Sequence, residues 1–310
     1  MAPLLSIVTP AFNEAENLPR LYERIAGIDW AALGLEFELL VVDDHSTDGT
    51  KGVLDVLAAR DARVKTLRFS RNFGSHAALT AGLEHATGAA AVVLAADLQD
   101  PPETIPALVA EWCKGAATVW AVRGEREGET LANRATARIF YALIERMTRM
   151  KMPPNGVDFF LVDRAVIEAL RLAPERNTSL VAQIQWLGFA QSSLVYTKVA
   201  RASGRSKWTL SKRIKLALDW VVGFSYFPIR MMSVIGLIFA CVGFLYASFL
   251  IVRRFVFVVP VEGWTSLISV VLITSGVQLV MLGVLGEYLW RSFDASRQRP
   301  RFIIEGRRGL

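Results

Sequence analysis

Two long apolar segments constrain this chain more than any other feature of its sequence. Residues 231–252 and 265–286 each contain 22 consecutive residues without a charged side chain. An α-helix rises about 1.5 Å per residue, so either segment can cross a hydrocarbon layer about 30 Å thick. The sequence therefore predicts two membrane-spanning helices that follow a soluble N-terminal domain.

The net charge of +6 is concentrated beside these segments. Seven cations precede the first segment: Arg201, Arg205, Lys207, Lys212, Arg213, Lys215 and Arg230. Six cations follow the second segment: Arg291, Arg297, Arg299, Arg301, Arg307 and Arg308. The positive-inside rule then places both the N-terminal domain and the C-terminal tail in the cytoplasm. Cations beside membrane segments suit anionic lipid better than nucleic acid, so we expect no nucleic-acid partner.

The soluble domain alternates short apolar strands with helices. Strands are predicted over 4–9, 37–42, 64–69 and 90–96, and helices over 50–59 and 75–86. Continuously apolar strands that alternate with helices are typical of a parallel sheet covered on both faces. Such sheets bind ligands beyond the carboxyl ends of their strands.

Polar segments follow three of these strands, at residues 9–14, 43–49 and 97–100. A carboxylate at a strand end can accept hydrogen bonds from a ribose or a base. For Asn13, Ser46 and Asp48, helix capping is an alternative interpretation. In the third segment Asp97 and Gln99 offer the oxygen ligands that Mg²⁺ and Mn²⁺ prefer, and an ordinary acidic turn is the alternative.

Seven motifs in this order resemble the polyprenyl-phosphate glycosyltransferases of glycosyltransferase family 2, of the bactoprenol glucosyltransferase and dolichol-phosphate mannose synthase type. The motifs are VTPAFNEAENL (8–18), VVDDHSTDGT (41–50), FSRNFGSHAALTAGL (69–83), ADLQDPPE (96–103), VDFFLVDR (157–164), RASGRSKW (201–208) and WTSLI…GEYLWR (264–291). The resemblance covers nearly the whole chain.

The resemblance implies an α/β fold with a GT-A (Rossmann-like) catalytic domain at 1–207. An interfacial amphipathic helix at 208–227, a two-helix transmembrane hairpin at 228–290 and a basic cytoplasmic tail at 291–310 would follow it. It further implies a bacterial inner-membrane enzyme that transfers a sugar with inversion from a nucleotide sugar, preferably linked to UDP. The acceptor would be a polyprenyl phosphate such as undecaprenyl phosphate. The protein would be a homo-oligomer, with a tetramer as one expected form.

Matched positions carry the family's site residues onto this sequence as expectations. The expected nucleotide-sugar contacts are Pro10, Phe12, Glu14, Asp44, Ser46, Arg71 and Asp97. The expected metal ligands, for Mg²⁺ or Mn²⁺, are Asp97 and Gln99, and the expected catalytic residue is Asp158. The expected contacts to the acceptor phosphate are Arg123, Arg134, Arg138, Arg201 and Ser206.

The sequence departs from the family pattern at two positions. Ala95 replaces an aspartate that the family usually has two residues before Asp97, which weakens the metal site. Phe160 occupies a position where the family often has arginine, which leaves a phosphate contact to other arginines. Ala95 also favours an alternative: a non-catalytic membrane protein that binds nucleotide sugars. A processive polysaccharide synthase is a weaker alternative, because it needs more membrane spans to form a channel.

Overall fold

The computed structural model of the 310-residue chain describes residues 2–124, 145–146, 159–173, 179–197, 225, 227–256 and 263–310. The chain divides into two compact units. The first comprises Met1–Leu216 together with Pro300–Leu310, and the second comprises Ala217–Arg299. The boundary predicted at residue 207 and the interfacial helix at 208–227 fall almost entirely outside the described residues, so both stay predictions.

The first unit is an alternating arrangement of strands and helices. Its strands are β1 (Leu4–Ala11), β2 (Glu36–Asp43), β3 (Val64–Phe69), β4 (Ala90–Val93), β5 (Thr118–Arg123), β6 (Phe160–Asp163), β7 (Gln191–Tyr196) and β8 (Ile304–Arg308). Its helices are α1 (Asn17–Ala26), α2 (Thr50–Arg60), α3 (Ser75–His85), α4 (Ile105–Cys113), α5 (Arg164–Leu172) and α6 (Leu180–Trp186), with a 3₁₀ turn at Pro102–Thr104.

The eight strands form one sheet in the order β7-β5-β6-β4-β1-β2-β3-β8. The central strands β4, β1, β2 and β3 are parallel, as the apolar pattern predicts. β6 and β8 run antiparallel to their neighbours, so the sheet is mixed rather than purely parallel. β8 comes from the segment interpreted as a basic tail, and it covers the edge of β3.

Helices cover both faces of the sheet because alternate residues of the central strands point in opposite directions. In β1, Ile7 packs with Leu18 of α1 on one face, whereas Val8 packs with Leu83 of α3 on the other. Gly82 permits the close approach of α3, since a Cβ atom there would lie 2.2 Å from Cγ1 of Val8. The paired cores hold β1 and its C-terminal loop in a fixed position.

β1 extends beyond the expected end at Pro10 and continues to Ala11. Its pairing with β4 ends at Val8, whereas its pairing with β2 continues to Ala11. The backbone nitrogen of Pro10 faces the β4 side, where β1 has no strand partner beyond Val8. The N–H that proline lacks therefore costs no ladder hydrogen bond. The proline is therefore accommodated inside the strand.

The second unit contains two long helices, α7 (Phe227–Val256) and α8 (Trp264–Ser296). Their stretches Phe227–Tyr246 and Ser266–Ser296 are long and apolar enough to cross a membrane. Large apolar side chains along both helices are exposed, for example Phe244 at 73% and Leu279 at 69%. Helices with this much exposed apolar surface need an apolar solvent or partner, which indicates membrane association.

Candidate active site

The sheet order brings the predicted site segments to one edge. β4, β1, β2 and β3 are adjacent and parallel, so the loops after them all leave from the same side. The loop after β1 carries Phe12 and Glu14, the loop after β2 carries Asp44 and Ser46, and Arg71 follows β3. Asp97 and Gln99 follow β4. The topology confirms that the polar segments after these strands lie at one edge of the sheet, as the sequence predicts.

Hydrogen bonds connect the loop after β1 to the loop after β2. The backbone N–H of Asn13 donates to Oγ of Ser46 at 2.9 Å, and the Asn13 side-chain oxygen accepts from the N–H of Thr47 at 2.9 Å. The N–H of Glu14 donates to Oγ1 of Thr50 at 3.0 Å. Asn13 and Ser46 thus join the two loops, and neither caps its own helix.

Asp48 hydrogen-bonds to the start of α2, although the N-cap residue of that helix is Gly49. Its carboxylate accepts the N–H of Thr50, the first residue of α2, at 3.0 Å and the N–H of Ala15 at 3.4 Å. Glu14 has a local partner as well, since its carboxylate accepts from the Asn17 amide at 2.7 Å. The two loops therefore form one hydrogen-bonded unit at the edge of the sheet.

Asp44 connects the loop after β2 to the loop after β3. Its side chain is buried and accepts the backbone N–H of Phe73 at 2.6 Å and of Gly74 at 2.9 Å. Burial raises the pKa of Asp44, and the two backbone hydrogen bonds only partly offset that effect. Gly74 has a φ of 93°, a conformation that a residue with a Cβ atom rarely adopts.

The loop after β3 also presents Arg71. Its guanidinium lies 4.2 Å from the centre of the Phe73 ring, a cation–π contact, and the residue is exposed. Asp44 therefore fixes the segment that orients an exposed cation at the same edge.

Each of the three polar loops contains a non-glycine residue in the left-handed backbone region. These residues are Asn13 at φ 58°, His45 at φ 60° and Leu98 at φ 58°. Asparagine and histidine tolerate this region better than most residues, whereas a leucine there is unusual. Such conformations persist only where the surroundings impose them and are common at functional sites. Their occurrence in three neighbouring loops supports the assignment of this edge.

The segment after β4 shows alternating burial. Leu94, Ala96 and Leu98 are buried in the core, and Asp100 is fully buried. The intervening residues 95, 97 and 99 are only partly buried. The two expected metal ligands thus share one face of the segment, and the N–H of Gln99 donates to the Asp97 carboxylate at 3.2 Å.

Ala95 lies on this same face, at the position where the family usually has a second aspartate. Within the described residues, no group of three or more histidine, cysteine or acidic side chains could hold a metal ion. On this face, a single carboxylate and an amide oxygen are therefore the ligands that the segment can offer.

The residues expected to contact the acceptor divide into two groups. Arg123 ends β5, which runs parallel to β4 because each is antiparallel to β6, so Arg123 lies at the same edge as the polar loops. Asp158, Arg134, Arg138, Arg201 and Ser206 lie outside the described residues. Phe159, the residue after Asp158, accepts the N–H of Ala121 through its carbonyl at 3.1 Å.

Two contact networks at this edge were missed by the sequence analysis. Arg68 forms an ion pair with Asp43, donates to the Ser46 carbonyl at 3.3 Å and approaches Glu305 of β8 at 3.5 Å. On the other side, the hydroxyl of Tyr196 donates to Asp100. Both networks join residues far apart in sequence. The motifs at 41–50 and 96–103 contain Asp43, Ser46 and Asp100, but nothing in the sequence indicated Arg68, Glu305 or Tyr196 as their partners.

The mixed sheet with its polar carboxyl edge has the arrangement of a GT-A-type α/β fold. The same fold occurs in glucosyl-3-phosphoglycerate synthase from Mycobacterium tuberculosis in complex with Mn²⁺, uridine-diphosphate-glucose and phosphoglyceric acid. That structure superimposes with a TM-score of 0.50 over 71% of this chain and 78% of that chain, at 17% identity. At such low identity the likeness concerns the fold.

The chain belongs to glycosyltransferase family 2. Residues 6–171 match the family described as Glycosyl transferase family 2. The bactoprenol glucosyl transferase of Shigella phage SfX is 38% identical over 98% of this chain and 99% of its own. An uncharacterized glycosyltransferase of Synechocystis sp. is 39% identical over 99% of this chain and 96% of its own. The predicted family, fold class and transferase activity are thereby confirmed.

Proposed function

We propose that the protein transfers a sugar from a nucleotide sugar, preferably a UDP-sugar, to a polyprenyl phosphate such as undecaprenyl phosphate. The product would be a membrane-bound sugar donor for the modification of cell-envelope glycans or lipids. The enzyme would act at the cytoplasmic face of the bacterial inner membrane, with both apolar helices crossing the bilayer.

One observation carries this proposal. The same chain joins a family 2 glycosyltransferase domain to two helices that are apolar enough to cross a membrane. Relatives named bactoprenol glucosyl transferase match it over 97–98% of its length, and so include both helices. An enzyme that combines this domain with two such helices suits an acceptor whose phosphate lies at the membrane surface and whose hydrocarbon chain lies in the lipid.

The segment after β4 fits a divalent cation, although with few protein ligands. Asp97 and Gln99 offer oxygen atoms from one partly buried face, and Mg²⁺ and Mn²⁺ prefer such ligands. Because the protein supplies one carboxylate, the diphosphate of the donor and water would complete the coordination. When bound, the cation would neutralise charge on the departing nucleoside diphosphate.

The chemistry is a single in-line displacement. An oxygen of the acceptor phosphate forms a bond to the anomeric carbon while the bond from that carbon to the diphosphate oxygen breaks, which inverts the anomeric centre. A phosphate monoester has a second pKa near 6 and is mostly a dianion at pH 7, so it scarcely requires a base. We therefore assign Asp158 the orientation of sugar and acceptor rather than proton removal.

Two anions must approach each other in this reaction, and cations at the edge reduce their repulsion. Two arginines of the described residues suit this role, because Arg71 follows β3 and Arg123 ends β5 at the shared edge. Arg134, Arg138 and Arg201, with Ser206, are assigned to the acceptor phosphate by resemblance. The sheet edge would bind the nucleotide through Pro10, Phe12, Glu14, Asp44 and Ser46.

A transfer assay tests the proposal. Purified full-length protein in detergent is given undecaprenyl phosphate, Mn²⁺ or Mg²⁺ and a panel of radiolabelled UDP- and GDP-sugars, and label is counted in a butanol extract. We expect one or a few UDP-sugars to give a lipid-linked product. If no nucleotide sugar labels the extract, the proposed acceptor is wrong.

The role of Asp158 is tested in the same assay. Asp158→Ala should reduce transfer at least about a hundredfold, the size of effect expected when reactants are misplaced, while UDP binding stays close to that of the wild type. Asp163→Ala is the matched control, because Asp163 lies at the far end of β6 and caps α5 through the N–H of Ala165 at 2.8 Å. It should retain transfer, and loss of UDP binding in Asp158→Ala would contradict the assigned role.

A further inference from the structure

The segment that carries Asp97 and Gln99 has an unusual residue on its buried side. Its other inward residues, Leu94, Ala96 and Leu98, are apolar and belong to the main core. Asp100 is 0% exposed and continues the same inward alternation. Burial of a carboxylate is costly unless hydrogen bonds compensate for it, so its partners determine where this end of the segment can lie.

Tyr196 is such a partner, and it comes from a distant part of the sheet. Its hydroxyl donates to Oδ1 of Asp100. Tyr196 is the last residue of β7, the edge strand, and β5 and β6 lie between β7 and β4 in the sheet. The hydrogen bond therefore connects the segment after β4 to a strand three positions away.

The ring of Tyr196 makes a second contact at the active edge. It packs edge-on against Phe159, with ring centres 5.6 Å apart and an interplanar angle of 89°. Phe159 directly follows Asp158 in the sequence. Tyr196 is itself held by its backbone, since its carbonyl accepts the N–H of Gly124 at 3.0 Å. One side chain thus contacts both the loop of the expected metal ligands and the neighbour of the expected catalytic residue.

We propose that Tyr196 is a positioning residue of the active site, which acts through Asp100 to fix the face that presents Asp97 and Gln99. This rests on the proposed function, because it assumes that this face binds the cation and the donor diphosphate. Apolar packing alone would hold Leu94, Ala96 and Leu98 in the core without fixing the rotation of the segment. A directional hydrogen bond from Tyr196 to a buried carboxylate supplies that constraint.

Tyr196→Phe tests this with a closely matched control, Tyr22→Phe. Tyr22 and Tyr196 are both 9% exposed, and the Tyr22 hydroxyl also donates to an aspartate, Asp61, at 2.7 Å. The Tyr22–Asp61 pair joins α1 to the loop after α2, and neither residue belongs to the candidate site. Each variant removes one hydroxyl and keeps the ring. Because Asp61 keeps its ion pair with Arg63, Tyr22→Phe should lower the melting temperature of the full-length protein no more than Tyr196→Phe does.

The two variants should differ in the protection of the segment after β4 from hydrogen exchange and in their affinity for UDP. Amide hydrogen exchange of residues 94–100 should accelerate about tenfold in Tyr196→Phe and stay unchanged in Tyr22→Phe. UDP affinity in the presence of Mn²⁺, measured by calorimetry, should fall about tenfold in Tyr196→Phe, equivalent to about 1.4 kcal/mol, and remain as in the wild type in Tyr22→Phe.

The outcomes separate this inference from the proposed function. If the wild type binds UDP and Mn²⁺ but Tyr196→Phe matches Tyr22→Phe in both measurements, Tyr196 is merely structural and the inference is wrong. If the wild type binds no nucleotide, the proposed donor is wrong. Hydrogen exchange requires no ligand, so unchanged exchange of residues 94–100 in Tyr196→Phe would overturn the positioning role in that case as well.

Discussion

Asp44 gives the sharpest test of how the fold assembles the candidate site. Its carboxylate accepts two consecutive backbone N–H groups, from Phe73 and Gly74, and is 3% exposed. Asp44→Ala would leave both donors without this acceptor. The segment that carries Arg71 would then lose its connection to the loop after β2.

The size of the effect follows from these contacts. A hydrogen bond to a charged group contributes about 1.5–3 kcal/mol net, so two such bonds set an upper range of about 3–6 kcal/mol. Burial opposes this gain, because it raises the pKa of Asp44 and so disfavours the ionised form. We therefore expect Asp44→Ala to lower the free energy of unfolding by about 2–4 kcal/mol.

Thermal unfolding of the detergent-purified full-length protein measures this loss. A change of this size corresponds to a decrease in melting temperature of about 5–12 °C for a domain of about 200 residues. The control is Asp48→Ala in the same loop. Asp48 also accepts two backbone N–H groups but is exposed, so its loss should cost only about 1 kcal/mol.

UDP binding completes the test. Because Asp44 fixes the loop after β3 and is itself an expected nucleotide contact, Asp44→Ala should weaken UDP binding at least about tenfold. If Asp44→Ala and Asp48→Ala melt at the same temperature, the buried pair of N–H bonds contributes little and the reasoning is wrong. Normal UDP affinity in Asp44→Ala would refute its role at the site.

Two further predictions concern the metal face and a buried ion pair. Ala95→Asp should lower the Mn²⁺ concentration needed for half-maximal transfer about tenfold, because it adds a carboxylate on the face of Asp97 and Gln99; an unchanged requirement would argue against a metal there. Glu38→Gln should cost about 2–4 kcal/mol at pH 7, because it leaves Lys65, 2.6 Å from Glu38, without its buried partner. Although burial alone would raise the pKa of Glu38, hydrogen bonds from Lys65, Ser6 and Thr87 hold it below its ordinary value of 4.5. The wild type should therefore lose its stability advantage over the variant as the pH falls below 4.5. An equal difference in melting temperature between wild type and variant at pH 7 and at pH 3 would contradict this.

The core strands were predictable because each is a continuous apolar run with its own turn signals. β3 has the predicted limits, and β2 differs by one residue at each end. The predicted strand at 90–96 was too long, since β4 ends at Val93. Residues 94–98 remain apolar at every second position because the loop packs against the core, so apolar content alone could not distinguish this loop from a strand.

The links between the polar loops could not be predicted from local sequence. Asn13 and Ser46 have the composition of helix caps, yet they bond each other across the neighbouring strands. Which partner such a side chain selects depends on strand order, and strand order is a property of the whole sheet. The pairing of Tyr196 with Asp100 depends on it for the same reason.

The C-terminal strand shows most clearly why charge patterning misled the sequence analysis. Residues 300–310 contain three arginines and follow a long apolar segment, which is typical of a solvated basic tail. In the structure Phe302 stacks on Phe69 with ring centres 5.1 Å apart, and β8 pairs with β3 from Thr66 to Phe69. Alternation explains how both patterns coexist, since an edge strand needs apolar residues only where it touches the sheet and tolerates charges elsewhere.

Strand β8 is part of the same compact unit as the candidate site. Without β8, β3 would be an unprotected edge, and Phe69 would lose the ring that covers it. Glu305 of β8 also lies 3.5 Å from Arg68 and 3.7 Å from His45, so the strand reaches the loop that carries Asp44 and Ser46. The first unit therefore consists of residues from both sides of the apolar helices. Its sheet is completed only by residues that follow both apolar helices in the sequence. A chain ended before residue 208 would therefore lack the strand that protects β3 and contacts the loop of Asp44 and Ser46.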